Sequence, residues 1–105
     1  QQLIRKVPIN DNVLEYAVKL AVKARPGTPG AAEAANQYLK WGAGPRASQY
    51  LVLGAKTHAA LHGKYSPDIE DVKAIAPSIL RHRIIKNYKA EAENISVDTI
   101  IEKLL

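Results

Sequence analysis

Trp41-Gly42-Ala43-Gly44-Pro45-Arg46-Ala47-Ser48 opens a run to Gly63 whose reading decides the fold. Two glycines around one alanine break whatever precedes them. Pro45 suits the first position of a helix, because the N–H it lacks is one the helix leaves unpaired anyway. Ala47, Leu51, Ala55, His58 and Leu61 then recur on one face, and Gly63 is a natural stop. The spacing predicts a helix over 45–62 with an arginine in its first turn.

Toward the C-terminus, Ser66-Pro67-Asp68 starts a second helix. Ser66 serves as cap, Pro67 is pre-set for the helix, and Asp68 favours its positive end. Ile69, Val72, Ala76 and Ile79 follow at helical spacing, with Pro77 expected to kink or divide them. Residues 81–92 read as extended at first and helical at the end. Ser96 and Asp98 open a last helix carrying the stripe Val97, Ile100, Ile101 and Leu104.

Toward the N-terminus, the Ala-rich residues 31–40 predict a short helix reaching Tyr38 and Leu39. Pro26-Gly27-Thr28-Pro29-Gly30 is a loop. Val13, Ala17, Leu20 and Ala24 define a helix over 11–24, with Asn10, Asp11 and Asn12 as cap candidates. Pro8 keeps Val7 out of the α region, so residues 3–9 read as an extended lead-in. The expected fold is all-α, a small bundle of about four helices plus short extended segments, in one domain over 1–105.

Composition agrees. The 105 residues are 47% apolar and 24% charged, with no Phe and no Met. The core must therefore come from Leu, Ile, Val and Ala, and small residues favour close helix packing. The absence of cysteine excludes a disulfide framework, a thiolate metal site and thiol redox chemistry, and it is compatible with a reducing cytosol. No apolar run approaches the roughly 20 residues that span a bilayer, and Gln1-Gln2-Leu3-Ile4-Arg5-Lys6 lacks the apolar stretch of a signal peptide. The expected location is the cytoplasm. A net charge of +5 calls for an acidic partner: nucleic acid, a nucleotide phosphate or an acidic protein face.

The chemistry centres on Arg46. Free N–H groups at a helix N-terminus attract phosphate, and a guanidinium there adds charge-assisted bonds in a fork. On spacing alone the simpler reading is that Gly42 and Gly44 make a turn and Arg46 is solvated. His58 and His62 stand at i and i+4, but Ala59 takes the place of the H-E-x-x-H glutamate and no third ligand is evident. His58 reads instead as a core-edge residue, and His62 as one bonded near the helix C-terminus. Arg81, His82, Arg83 and Lys86 form the densest basic cluster. The acidic residues fall on faces expected to be exposed, and no serine, histidine and acid share a nucleophile-elbow spacing. The sole Gly-Lys pair, Gly63-Lys64, precedes Tyr65, so no phosphate-cradling G-x-x-x-x-G-K-[ST] is present. The chain alone is not expected to hydrolyse ATP.

Three segments together resemble the C-terminal lid of MoxR-family AAA+ ATPases. Gly42-Ala43-Gly44-Pro45-Arg46-Ala47 is similar to that family's second-sensor motif G-A-S-P-R-A, with Gly44 in place of the usual serine. Tyr65-Ser66-Pro67 and Glu70-Asp71-Val72-Lys73-Ala74-Ile75-Ala76-Pro77 resemble T-P-E-D-V-x-x-V-A-P, with Asp68-Ile69 as an insertion. Leu80-Arg81-His82-Arg83-Ile84 resembles L-R-H-R-I, and Tyr88 with Glu91-Ala92-Glu93 the acidic helix downstream. Order and spacing agree from about residue 7 to 105.

The resemblance implies a lid from a longer ATPase, and a chain that begins without Met, in mid-pattern, fits that expectation. A preceding P-loop domain would bind ATP and Mg²⁺, whose ligands are not in this chain. Arg46 matches the second-sensor arginine as a catalytic residue, and Gly44, Pro45 and Arg46 are the expected nucleotide contacts. The related magnesium-chelatase branch leaves open whether that arginine acts in cis or on the neighbouring subunit. The implied partners are the chain's own P-loop domain, neighbouring subunits of a homo-hexamer and a von Willebrand A-domain protein, in a chaperone-like assembly role. The alternative is a stand-alone basic helical module binding nucleic acid or protein, with nucleic acid not the expected partner.

Overall fold

Apolar residues three and four apart build each long helix of the structure, a computed structural model that describes residues 7–105. Residues 3–6 of the expected lead-in lie outside the described residues, and Val7 to Ile9 are non-helical. Helix α1 (Asp11–Lys23) buries Val13, Ala17, Leu20 and Ala21 and ends at Ala24, also buried, ahead of Pro26 and Gly27. Helix α2 (Glu33–Tyr38) is one and a half turns long and passes directly into strand β1 (Leu39–Trp41).

Helix α3 (Ala47–Leu61) buries Ala47, Leu51, Ala55 and Ala59. Leu61, placed on the same face by the sequence, is instead 80% exposed. Ten residues beyond Leu51, it has turned away from the buried line, and the i+4 series continues through Ala59. Its end is a Schellman motif. Lys64 N–H donates to the Ala59 carbonyl at 2.8 Å and Gly63 N–H to that of Ala60 at 3.1 Å.

Helix α4 (Ile69–Leu80) starts at Asp68, which replaces Ser66 as the cap because Asp68 and Asp71 close a reciprocal capping box. The helix runs through Pro77 undivided. Burial of Ala76 and Leu80 on either side of the proline sustains its last turn.

Residues 81–92 divide as expected, with strand β2 (Ile85–Lys86) followed by helix α5 (Tyr88–Ala92). Helix α6 (Val97–Leu104) buries Ile100, Ile101 and Leu104 and is capped by Ser96, whose hydroxyl accepts from Thr99 N–H at 3.1 Å. The all-α expectation stands, with six helices among the described residues rather than about four. It is supplemented by a two-stranded antiparallel sheet in which Leu39 pairs with Lys86 and Trp41 with Ile85 across an irregular register. Strands of three and two residues carry no readable alternation, which is why the sequence does not announce them.

Helices α3 and α4 share the largest contact, α1 lies against both, and α6 joins α4 to α2. Leu20, Leu51, Val72, Leu80, Ile100, Ile101 and Leu104 are the large side chains at the centre. Each contributes about 1.5–3 kcal/mol by leaving water. Ten of the twenty buried apolar residues among those described are alanines, which lets the helices approach closely. Among the described residues no helix is long and apolar enough to cross a membrane.

Candidate functional site

Arg46 closes the turn that leads into α3. Gly44 has φ of +85° and its carbonyl accepts from Ala47 N–H at 3.3 Å. Arg46 then stands at the N-cap (φ −93°, ψ 0°), its carbonyl accepting from Gln49 N–H at 3.1 Å and Tyr50 N–H at 3.2 Å. The helix expected from Pro45 thus begins at Ala47, and Pro45 and Arg46 form the turn ahead of it. The shift is within the ordinary fraying of helix ends and leaves the arginine at the same positive terminus. Gly44 departs from the serine of the related motif for a visible reason, since its left-handed φ would cost a side chain about 1–2 kcal/mol.

The loop is fixed from behind by Gly42. A Cβ there would lie 2.4 Å from the Ala24 carbonyl oxygen, 2.8 Å from Arg25 Cα and 2.9 Å from Pro26 Cδ. Backbone meets backbone, so the segment after β1 is locked to the end of α1. Gly42→Ala is expected to destabilise the chain by about 1–3 kcal/mol, the usual cost of overpacking. The readout is a lower urea midpoint with an unchanged slope. An unchanged midpoint would mean that the two loops separate freely.

Electrostatically this helix start differs from the others. Asp11, Glu33, Glu70 with Asp71, Glu91 and Asp98 put acids in the first turns of α1, α2, α4, α5 and α6. Among the described residues α3 alone has none there, and it receives no side-chain cap. Arg46 and Pro45 are exposed, and no carboxylate among the described residues pairs with that guanidinium. The positive end of a 15-residue helix and an unpaired arginine therefore point at the same solvent, an arrangement that attracts an anion.

Beside this loop lies a small concavity walled by Arg25, Pro26, Lys40, Trp41, Gly42 and Gly44. The sequence did not bring Arg25 and Lys40 together, because the closure depends on the Gly42 contact across the chain.

The other candidates are held by local partners. Arg81 Nε donates to Asp98 at 2.9 Å, Lys86 Nζ to the Ile95 carbonyl at 3.1 Å, and Arg83 lies 4.0 Å above the Tyr50 ring. Lys86 also stands 3.3 Å from Glu91. The basic cluster of 81–86 therefore does not converge on one site. His62 Nδ1 bonds the His58 carbonyl at 2.8 Å, and the two rings stack at 4.2 Å.

Asp71 corrects the expectation that the acids lie on exposed faces, being 1% exposed. His58 Nδ1 lies 2.6 Å from its Oδ1, while Lys64 Nζ (3.0 Å) and Asp68 N–H (2.9 Å) donate to Oδ2. Burial alone would push this carboxyl up. The Asp68 backbone N–H, His58 and Lys64 outweigh it and hold it far below the usual carboxylate range. The Asp68-x-x-Asp71 spacing was the available signal, a capping box written with two aspartates.

A family model described as the AAA lid domain matches residues 31–104. The chaperone MoxR1 of Mycobacterium tuberculosis is 27% identical over 97 residues, which cover 92% of this chain and 26% of that protein. YeaC of Bacillus subtilis, an uncharacterised protein, is 26% identical over 105 residues, the whole of this chain and 30% of its own length. The crystal structure of a candidate ATPase from Cytophaga hutchinsonii superimposes with a TM-score of 0.86 at 38% identity, over 98% of this chain and 31% of that one. The chain thus spans between a quarter and a third of the length of these relatives.

Proposed function

This chain belongs to the AAA lid domain family, and on that premise we propose that it is the nucleotide-sensing lid of a MoxR-type AAA+ ATPase. In this reading Arg46 meets the γ-phosphate of ATP and couples nucleotide state to the arrangement of subunits in a ring. The observation that carries it is the acid-free, side-chain-uncapped N-terminus of α3 with an unpaired arginine at its cap. A phosphate chain fits such a terminus. Among the described residues the first turn of α3 holds no acid, and in this reading Mg²⁺ would be held by the preceding P-loop domain.

Arg46 would donate in a fork to the terminal phosphoryl oxygens as charge redistributes over them, while the N–H groups opening α3 and the turn at Gly44-Pro45 hold it in register. ATP supplies the scissile phosphoanhydride. Gly42 fixes the loop so that the guanidinium is presented in a stable place. The exposed Leu14 (40%) and Val18 (44%) line a groove with Val52 and Leu53, bordered by the polar Ser48, Gln49 and Lys56. That face suits docking against the parent's P-loop domain or a neighbouring subunit of a hexamer.

The chaperone-like role is taken from one relative, the chaperone MoxR1, and a cytoplasmic setting suits it. Measurement of ATP turnover by the complete ATPase carrying Arg46→Ala tests the proposal.

A further inference from the structure

At the far end of α3 from Arg46, about 18 Å or more along the helix axis, stand His58 and His62. Their i, i+4 spacing carries little by itself. What the structure adds is the partner of each Nδ1. Asp71 is ionised, held far below the usual carboxylate range, and can only accept, so His58 Nδ1–H is the donor in their 2.6 Å bond. The His58 carbonyl likewise only accepts, so His62 donates to it from Nδ1–H at 2.8 Å. With Nδ1 carrying the proton, each ring when neutral presents a lone pair at Nε2. Among the described residues nothing bonds either Nε2.

An N–H turned to a carboxylate or a backbone carbonyl is the usual support of a metal-binding histidine, because it fixes the tautomer and raises the basicity of the other nitrogen. Here one ring has the first support and its neighbour the second. The rings stack with centres 4.2 Å apart and planes 29° from parallel. Two imidazoles bound cis to one ion, through bonds of about 2.0–2.1 Å, have centres about 4.5 Å apart. The pair occupies the last turn and the C-cap of α3, where the negative end of the helix favours a cation. Lys64, the cation of the Asp71 network, is itself paired with Asp68 at 3.1 Å and Asp71 at 3.0 Å.

We propose that His58 and His62 bind a late first-row divalent transition ion through their Nε2 atoms, with Asp71 as the positioning carboxylate and water in the remaining positions. Imidazole nitrogens suit zinc, nickel and copper, whereas Mg²⁺ and Ca²⁺ take oxygen ligands. Among the described residues no three His, Cys, Asp or Glu side chains converge to hold an ion. The site is therefore open, with two protein ligands and a modest affinity. It differs from the arginine site in place and in ligand, and it stands or falls independently of the nucleotide reading.

Calorimetric titration of the untagged, chelator-stripped chain with ZnCl₂ is expected to show one ion bound with a dissociation constant on the order of 10 µM, as half the ligands of a structural zinc site would give. Zinc at about 0.1 mM, tenfold above that constant, should raise the thermal midpoint by roughly 6–11 °C. Mg²⁺ at the same concentration should not. His62→Ala is the decisive variant, because His62 is exposed and its side chain bonds only within its own helix, so the fold survives its loss. Zinc binding should then weaken by more than the roughly tenfold that loss of an outer-shell support costs. Asp71→Asn, which keeps an acceptor for His58 but removes the charge, should weaken zinc by about that tenfold when titrated below its own midpoint. His82→Ala removes the remaining histidine and should change nothing. The proposal fails if zinc leaves the midpoint in place, if Mg²⁺ matches it, or if His62→Ala binds zinc as the wild type does. It fails equally if His82→Ala abolishes binding, or if Asp71→Asn binds zinc undiminished, since the pair would then be two ordinary surface histidines.

Discussion

Arg46→Ala in the complete ATPase is expected to lower ATP turnover by roughly 10³-fold, the low end of what arginine fingers contribute to phosphoryl transfer. That corresponds to about 4 kcal/mol of transition-state stabilisation. The fold should not change. Arg46 is exposed, has no carboxylate partner among the described residues, and contributes only its carbonyl to the first turn of α3, which alanine also supplies. Its removal should alter stability by no more than about 0.5 kcal/mol, as at ordinary surface positions. A large kinetic effect with a small thermal one is therefore the expected signature.

Arg46→Lys separates charge from shape. A lysine keeps the positive charge but not the planar fork, so it should recover only part of the lost rate. Turnover of Arg46→Ala within about twofold of wild type would sink the catalytic role, because a group facing the transferring phosphoryl cannot be worth so little. Mixing Arg46→Ala subunits with subunits unable to bind nucleotide then assigns the direction. Restored turnover means that the arginine serves the neighbouring subunit, and absent restoration that it serves its own.

Legibility of this fold in the sequence follows the range of the interactions that build it. The stripes Val13-Ala17-Leu20-Ala24 and Val97-Ile100-Ile101-Leu104 are local and repeated, and all of these residues but the half-buried Val97 are buried. Gly63 and Ser96 act within one turn of their helices and behave as read. What the sequence conceals depends on contacts across the chain. Leu39 and Trp41 become a strand only because Lys86 and Ile85 arrive beside them. Arg25 joins Lys40 and Trp41 only because Gly42 admits the end of α1. For Arg46, spacing alone favours a solvated side chain, and the acid-free start of α3 stands out only when all six helices are compared. Asp71 stayed hidden for a different reason. Charge is a strong indicator of exposure, and it fails where several donors converge on one carboxylate.

That convergence makes Asp71→Ala a damaging truncation for the fold, at about 3 kcal/mol. The variant removes the acceptor of His58, of Lys64 and of the Asp68 N–H in one step, and with it the capping box that starts α4 and the polar tie between α3 and α4. The figure sits at the low end for a broken buried pair because the side chains of His58 and Lys64 are 30% and 40% exposed and water can recover part of their solvation. For a domain of this size the thermal midpoint should fall by roughly 12–24 °C. Asp71→Asn keeps the shape and isolates the charge, and acid supplies the second test. A carboxyl held below its ordinary range contributes stability that is complete above the unfolded pKa of about 3.9 and disappears as pH falls through the folded value. The stability difference between wild type and Asp71→Asn should therefore shrink as pH falls from about 5 toward 2. Taking that difference cancels the other carboxylates, with Asp68 and the cation of Lys64 present in both proteins. An Asp71→Ala midpoint within about 3 °C of wild type would show that the network is incidental to the fold. A difference that does not diminish in acid would show that shape, rather than charge, is what Asp71 provides.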